Sequence, residues 1–208
     1  MKHIALLTTL LLSASLQAVE KPYDYVFFEN SLMKGDYFYS QAKYTSPSWI
    51  KNARHHLPVA GSVAFTPGNS LELTYVSAPG GDWYSEIQYC PVRGNDFFRE
   101  PSTLSMQVRL RESMHAAALP NIAIRYADST YTQYLNLRNY LKDTRPGVWH
   151  SVSIPLKDFG LNAVNDTNIK KLAAVALRPG TADGNEYTIY LDDIELLPAS
   201  LPSVSALN

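Results

Sequence analysis

Three residues that alternate along one short segment, Tyr134, Asn136 and Arg138, carry side chains suited to holding a polar ligand. Residues two apart in a strand point to the same face, so these three lie together if the segment is extended. A tyrosine ring can stack on the C–H surface of a sugar. Amide and guanidinium groups can bridge two hydroxyls or grip a carboxylate through paired hydrogen bonds. The pattern therefore predicts a binding face, and no comparable pattern points to catalysis.

Two further arginines extend this predicted face. The same alternation places Arg109 opposite Val108 and Leu110, and Arg125 opposite Ile124. With the arginine of the first segment, one sheet face would carry three guanidinium groups, which favours an acidic ligand such as a uronic acid. The alternative is an ordinary solvated face, because antiparallel sheets are often polar on one side.

A glycine-rich loop supplies a second candidate for ligand contact. Trp83 and Tyr84 directly follow the turn-forming residues 79–82, Pro-Gly-Gly-Asp. Aromatic rings on such a loop predict a stacking platform at the rim of a binding site. The alternative is a ring that folds back to close the end of the domain, which is common for tryptophan.

The elements that would position these residues are short strands. Apolar and polar residues alternate over five to ten positions and are separated by Pro-Gly, Gly-Asn and similar turn sequences. The pattern predicts an all-β fold, an antiparallel sandwich of the jelly-roll type. The predicted strand segments are residues 71–76, 104–110, 122–126, 132–141, 152–156, 173–177 and 187–196.

The ends of the chain differ from its middle. Residues 1–18 combine a polar start, an apolar run and small residues, which predicts a secretory signal peptide. Residues 19–198 form the predicted single domain, and residues 199–208 a flexible tail. Cys90 is the only cysteine, so no intrachain disulfide is possible. These features favour an exported protein, periplasmic or secreted, and bacterial in origin.

Charge and hydropathy exclude two classes of partner. The formal net charge is -1, and the basic residues are not clustered. This balance argues against nucleic acid or an anionic membrane surface as the partner. No segment of the mature chain is long and apolar enough to predict a transmembrane helix.

Two sequence stretches resemble the C-terminal part of galactose-binding-like β-sandwiches. Residues 149–159 read WHSVSIPLKDF and residues 190–194 read YLDDI, while Phe27-Phe28-Glu29 resembles the first strand of those domains. Similar signatures occur in carbohydrate-binding modules of polysaccharide-degrading enzymes and in complex I intermediate-associated proteins. The resemblance implies a jelly roll, a carbohydrate ligand and a polysaccharide-degrading enzyme as partner. It also implies that Trp149 belongs to the core.

The same resemblance implies a structural calcium ion where the first and last strands meet. The matching oxygen donors are Glu29, Asp36, Asp192 and Asp193. Calcium takes six to eight oxygen ligands, which carboxylates and turn carbonyls can supply. The alternative is that the two adjacent aspartates only solvate a strand end.

Together these patterns predict an exported, non-catalytic domain that recognises a poly- or oligosaccharide, acidic ones included, on a concave sheet face. One alternative is a small β-sandwich polysaccharide lyase or glycoside hydrolase that uses the same groove, with Tyr134 or a histidine as the acid–base group. A second alternative is a protein-interaction or assembly domain.

Overall fold

The computed structural model describes residues 25–89, 101–161 and 172–198. In these residues the chain forms two antiparallel sheets that pack against each other through one hydrophobic core. The predicted all-β sandwich is therefore confirmed. The predicted signal peptide, the predicted tail and Cys90 lie outside the described residues.

The larger sheet has eight strands in the described part of the chain, in the order β11-β8-β13-β6-β5-β2, with β1 paired to β13 and β4 paired to β6. These strands are β1 (Val26–Phe28), β2 (Asp36–Tyr37), β4 (Trp49–Ile50), β5 (Leu57–Ala60), β6 (Ser70–Val76), β8 (Pro101–Leu110), β11 (Trp149–Pro155) and β13 (Glu186–Pro198).

The smaller sheet has five described strands in the order β10-β9-β12-β7-β3. These strands are β3 (Ser40–Thr45), β7 (Asp82–Gln88), β9 (Asn121–Tyr126), β10 (Leu135–Asn136) and β12 (Leu172–Arg178). From β6 to β13 the chain passes repeatedly from one sheet to the other, so residues distant in sequence become neighbours on each face.

Apolar residues at alternate positions of the strands form the core. On β8 the side chains of Leu104, Met106, Val108 and Leu110 are buried, while the intervening residues are partly exposed. This is the alternation that the sequence predicts, because successive side chains of a strand point to opposite faces. Trp83 is a central core residue, and its ring centroid lies 4.7 Å from that of Tyr75.

The predicted strand at residues 132–141 is wrong over most of its length. Only Leu135–Asn136 pair with β9, and a 3-10 helix follows at Leu137–Asn139. The Asn136 side chain accepts a hydrogen bond from the Arg138 backbone N–H, which caps the helix. A capped 3-10 helix therefore replaces the strand pairing that the alternation predicted.

Three 3-10 helices of three or four residues are found in the described residues. No helix in that part of the chain is long and apolar enough to cross a membrane.

Candidate functional site

The outward face of the five-stranded sheet carries an open groove. Ala123 of β9 pairs with Ala176 of β12 in this sheet, Ala174 of β12 pairs with Arg125, and all three alanines are fully buried. The groove has a volume of about 420 Å³. Its lining residues are Gln41, Lys43, Tyr84, Glu86, Arg125, Ser129, Tyr131 and Arg178.

A buried carboxylate organises the groove. Glu86 is fully buried, and its Oε1 lies 2.6 Å from Nε of Arg125. The Arg125 Nε–H does not point along this line, so the contact is an ion pair without a linear hydrogen bond. Gln41 donates to Glu86 Oε2 at 2.5 Å and the Tyr131 hydroxyl donates to Oε1 at 3.2 Å. Three groove side chains are thus held by one acidic group.

The turn between β9 and β10 places Tyr131 over the sheet. Asp128 accepts hydrogen bonds from the backbone N–H of Thr130 at 3.0 Å and from its hydroxyl at 2.6 Å. The Tyr126 N–H donates to the Thr130 carbonyl, and Ser129 takes a positive φ of 68°. An aspartate that bonds to the backbone two residues on is a standard way to fix a tight turn.

Three tyrosines and one arginine form an aromatic cluster at the groove. The rings of Tyr131 and Tyr134 stack with centroids 6.0 Å apart, and the hydroxyls of Tyr131 and Tyr84 are 3.1 Å apart. The guanidinium carbon of Arg178 lies 5.6 Å from the ring centroids of both Tyr84 and Tyr134. This spacing allows cation–π attraction to both rings. The cluster therefore brings three aromatic rings and a planar donor together at the groove.

The tyrosine hydroxyls are poor bases. Burial raises the pKa of Tyr131, and the charge of Glu86 raises that pKa further. Burial also raises the pKa of Tyr134, while Arg178 opposes this shift. Both groups stay protonated at neutral pH, so they can donate hydrogen bonds and stack but are not ready to remove a proton.

A second cavity of about 320 Å³ lies on the same sheet, next to the groove. Asn121 lines it and pairs with Arg178 across the strands, which links the two cavities. The Asn136 side chain donates to Asn121 Oδ1 at 3.0 Å, and Arg138 is exposed at the margin. Gly180 lets the chain approach closely here, since a Cβ on this residue would lie 2.2 Å from the Leu119 carbonyl oxygen.

A family comparison agrees with this geometry. Residues 24–197 match the model of carbohydrate binding domain 30. The chain belongs to this family. This family assignment supports the resemblance of the sequence to carbohydrate-binding modules.

Relatives of the chain are known at two levels of similarity. A curated exo β-1,2-glucooligosaccharide sophorohydrolase of Parabacteroides distasonis is 99% identical over all 208 residues, which amount to 29% of that protein. A crystal structure of β-1,2-glucanase from Parabacteroides distasonis is 98% identical, with a TM-score of 0.83 over 90% of this chain and 27% of the solved chain. The chain therefore spans less than a third of either protein.

A more distant structure shares the fold. The family 30 carbohydrate-binding module of a cellulosomal cellulase from Clostridium thermocellum is 17% identical, with a TM-score of 0.62. The match covers 85% of this chain and 98% of that module. The two domains thus share the sandwich fold.

The structure places five of the seven predicted ligand residues at the groove or at the neighbouring cavity. Tyr84, Arg125 and Tyr134 surround the groove of this family 30 domain, and Asn136 lines the neighbouring cavity. Arg138 also lines that cavity, although it lies in a 3-10 helix instead of the predicted strand.

Arg109 does not belong to this face, which corrects the prediction of three arginines on one sheet. It lies in β8 of the eight-stranded sheet, between Trp149 and Tyr190 in the strand register. The Arg109 side chain points outward, as the alternation predicted, but from the eight-stranded sheet and not from the sheet that carries the groove. Trp149 is correspondingly half-buried on that outer face and is not the core residue that the resemblance implied.

Trp83 is also wrongly predicted as a rim residue. It lies inside β7, only 1% of its surface is exposed, and its indole N–H donates to the Ser77 hydroxyl at 2.9 Å. A ring enclosed in this way has no face for a ligand. Tyr84, the next residue, points outward because the side chains of a strand alternate.

Six groove residues were not among the predicted ligand residues: Gln41, Lys43, Glu86, Ser129, Tyr131 and Arg178. The alternation of residues 173–177 would have placed Arg178 on the outward face, had the strand been extended by one residue. Tyr131 is held by a turn, so no strand pattern could have indicated it.

The predicted calcium donors do not form one group. The described residues contain no cluster of three or more His, Cys, Asp or Glu side chains that could hold a metal ion. Asp36 accepts two hydrogen bonds from Arg54, at 2.9 and 3.1 Å. Its carboxylate is therefore already paired with a guanidinium group. As a set, these donors do not fit a single calcium ion.

The acidic pair in β13 already has hydrogen-bond partners. Asp192 accepts backbone N–H bonds from Phe65, Thr66 and Asp193, and its burial raises its pKa to about 6. Asp193 accepts from the Thr66 hydroxyl at 2.8 Å. Calcium binding by this pair stays a prediction, which a comparison of melting temperature with calcium and with chelator would test.

Proposed function

We propose that this domain binds a neutral β-glucan chain, without catalysis, along the groove of the five-stranded sheet. The observation that carries the proposal is the convergence of three tyrosine rings, one amide and two guanidinium groups on one open groove. Rings that stack on sugar faces and planar donors that bridge hydroxyls are what such a ligand requires. Membership of carbohydrate binding domain 30 supports the same assignment.

Ion pairs offset the charge of both arginines that line the groove. Glu86 offsets the charge of Arg125 at 2.6 Å, and Asp82 lies 3.8 Å from Arg178. Arg109 faces away on the other sheet. Of the three arginines that suggested a uronic acid, only Arg138 remains near the groove without an ion pair in the described residues.

The near-identical relative suggests which glucan to test first. Its name specifies β-1,2-glucooligosaccharides, and the present chain corresponds to 29% of its length. We propose that the domain holds β-1,2-glucan for the remaining polypeptide, which would be the polysaccharide-degrading partner. Export from a bacterial cell, as the N-terminal pattern predicts, fits an extracellular or periplasmic glucan.

The chemistry of the groove gives less support to a lyase or hydrolase. The acidic residue that lines it in the described part of the chain is Glu86, which is buried and already bonded to three groups. Glycoside hydrolysis ordinarily uses two positioned carboxyl groups. A lyase would need a tyrosine with a lowered pKa, whereas the pKa of Tyr131 is raised.

Calorimetric titration of residues 19–208 with β-1,2-, mixed-linked and uronic-acid oligosaccharides tests the proposal. Binding of a β-glucan with no release of new reducing ends is the expected result. Tyr84→Ala should abolish the heat signal, while Tyr190→Ala on the opposite sheet is the matched control. Release of reducing ends would make the domain an enzyme. Absence of any glycan binding would favour the assembly alternative, which a pull-down from the exported fraction would examine.

A further inference from the structure

The second cavity, of about 320 Å³, differs from the groove in its chemistry. Three amides, one guanidinium group, one hydroxyl and two small residues line it. In the described part of the chain, neither an aromatic ring nor a carboxylate does so. A ligand in this cavity would therefore be held by hydrogen bonds and not by stacking.

The second cavity adjoins the groove across one pair of strands. Arg178 of β12 lines the groove, and its register partner on β9 is Asn121, which lines the second cavity. Asn121 is four residues from Arg125 on the same strand, so both side chains face outward on the groove side. Cβ atoms of directly paired residues on one face are about 5 Å apart. No strand therefore separates the groove from the cavity.

A row of polar side chains crosses all five described strands of this sheet and joins the two cavities. At one end Lys43 pairs with Tyr84, whose ring centroid is 5.6 Å from the guanidinium carbon of Arg178. At the other end Asn121 pairs with Asn136. Neighbouring strands are about 4.8 Å apart, so the row is roughly 19 Å long. A ligand that follows this row is an oligomer of several units, extended across the strands.

Backbone contacts fix the walls of the second cavity. The Thr181 N–H donates to the Ala117 carbonyl at 2.7 Å, and the Asn136 amide donates to the Leu119 carbonyl at 3.2 Å. A Cβ on Gly180 would lie 2.2 Å from the same Leu119 oxygen, so the two segments can approach only because this residue is glycine. Walls that are already in place reduce the ordering cost of binding.

Three polar side chains of the cavity are available to a ligand. Arg138, Asn139 and Thr181 are exposed, and their side chains make no hydrogen bond to any described residue. They offer guanidinium, amide and hydroxyl donors, and the amide and the hydroxyl also accept hydrogen bonds. Sugar hydroxyls likewise donate and accept, so this set of groups fits the hydroxyl edge of a sugar.

We infer that the second cavity is a further sugar subsite, in which a β-glucan chain that lies in the groove continues past β9. This inference rests on the proposed function, because it extends the same ligand. The groove places sugar units beside tyrosine rings, whereas Arg138, Asn139 and Thr181 bind the following units through their hydroxyls. The domain therefore prefers long oligosaccharides to short ones, and the second cavity supplies this preference.

Calorimetric titration with β-1,2-gluco-oligosaccharides, from the disaccharide to the hexasaccharide, tests the inference. In the native protein the affinity should rise with chain length. Arg138→Ala should weaken binding of the hexasaccharide roughly tenfold, as expected for the loss of one or two hydrogen bonds. It should leave binding of the shortest active oligosaccharide unchanged. Arg111→Ala, outside both cavities, is the matched control, and Tyr84→Ala in the groove should abolish binding at every length.

Amide chemical shifts provide a second measurement that does not depend on affinity. The signals of Asn139 and Thr181 should move when the hexasaccharide binds, but not when the shortest active oligosaccharide binds. The same signals in Arg138→Ala should show that the variant is folded.

Four outcomes would overturn the inference. Equal hexasaccharide affinity in the native protein and in Arg138→Ala would remove the second cavity from the site, while loss of binding in Tyr84→Ala would leave the groove in place. Equal weakening of short and long ligands in Arg138→Ala would contradict a subsite for additional units. Tighter binding of a uronic-acid oligosaccharide through Arg138 would make the cavity an anion site. Binding of no oligosaccharide by the native protein would remove the proposed function as well.

Discussion

Glu86 is the residue on which the groove depends. A charged carboxylate with no solvent exposure is stable only with close partners, and it has Arg125, Gln41 and Tyr131. These partners are also the residues that would touch a glycan. Because the buried carboxylate needs these partners, it holds several hydrogen-bond donors in position before a ligand binds.

Replacing Glu86 with alanine should damage stability and binding together. Breaking a buried ion pair costs about 3–5 kcal/mol, because the remaining charge loses its partner. Glu72→Ala is the control; it breaks the more exposed Lys51–Glu72 pair at 2.6 Å and should cost about 1 kcal/mol or less. Urea unfolding measures the loss of unfolding free energy in both variants. Equal losses in the two variants would contradict the organising role of Glu86.

Arg178 should contribute to affinity through its planar shape. Arg178→Lys keeps the charge but loses the fork and the stacking on Tyr84 and Tyr134. We expect glycan affinity to fall roughly tenfold, the equivalent of about 1.4 kcal/mol. Arg111→Lys, at the residue that directly follows β8, is the control. Unchanged affinity in Arg178→Lys would remove this residue from the site.

At the level of elements, the alternation of residues predicted six of the thirteen described strands and the faces of their residues, but not the sheet to which each strand belongs. The alternation of residues correctly predicted that the side chains of Arg109 and Arg125 point outward. It could not predict that the two residues lie on different sheets, because sheet membership is set by pairings between distant segments such as β8 with β13. For the same reason the groove, which combines β3, β7, β9 and β12, was only partly predictable.

The turn before β10 provides a test of how an element positions one residue. Asp128→Ala removes two hydrogen bonds to Thr130 and should loosen Tyr131, so glycan affinity should fall while the unfolding free energy changes by about 1 kcal/mol. Asp143 makes a similar bond to the Arg145 N–H at 2.9 Å, away from the groove. Asp143→Ala should therefore leave affinity unchanged in the same calorimetric titration, and a matching loss there would refute the positioning role.

At the scale of the whole molecule, Tyr25 links the N-terminal segment to the smaller sheet. Its hydroxyl donates to the Leu172 carbonyl at 2.5 Å, and its ring stacks on Tyr89 at 4.1 Å. Burial, together with Tyr89, raises the pKa of Tyr25 to about 12. The neutral phenol is therefore the form that stabilises the fold.

This shift predicts a loss of stability in alkali. The contribution of Tyr25 is complete below pH 10, the ordinary tyrosine pKa, and is lost as the pH rises towards 12. A shift of this size corresponds to roughly 3 kcal/mol. Denaturant unfolding at pH 8 and at pH 11.5 should show the advantage of the native protein over Tyr25→Phe shrinking with pH. A constant difference would contradict the assignment.

We expect a β-glucan to lie on the outward face of the five-stranded sheet. Titration of ¹⁵N-labelled protein with a β-1,2-gluco-oligosaccharide, followed by amide chemical shifts, tests this most directly. The largest changes are expected at Lys43, Glu86, Arg125 and Arg178, with little change in β8 or β11. Changes confined to the eight-stranded sheet, or none at saturating glucan, would contradict it.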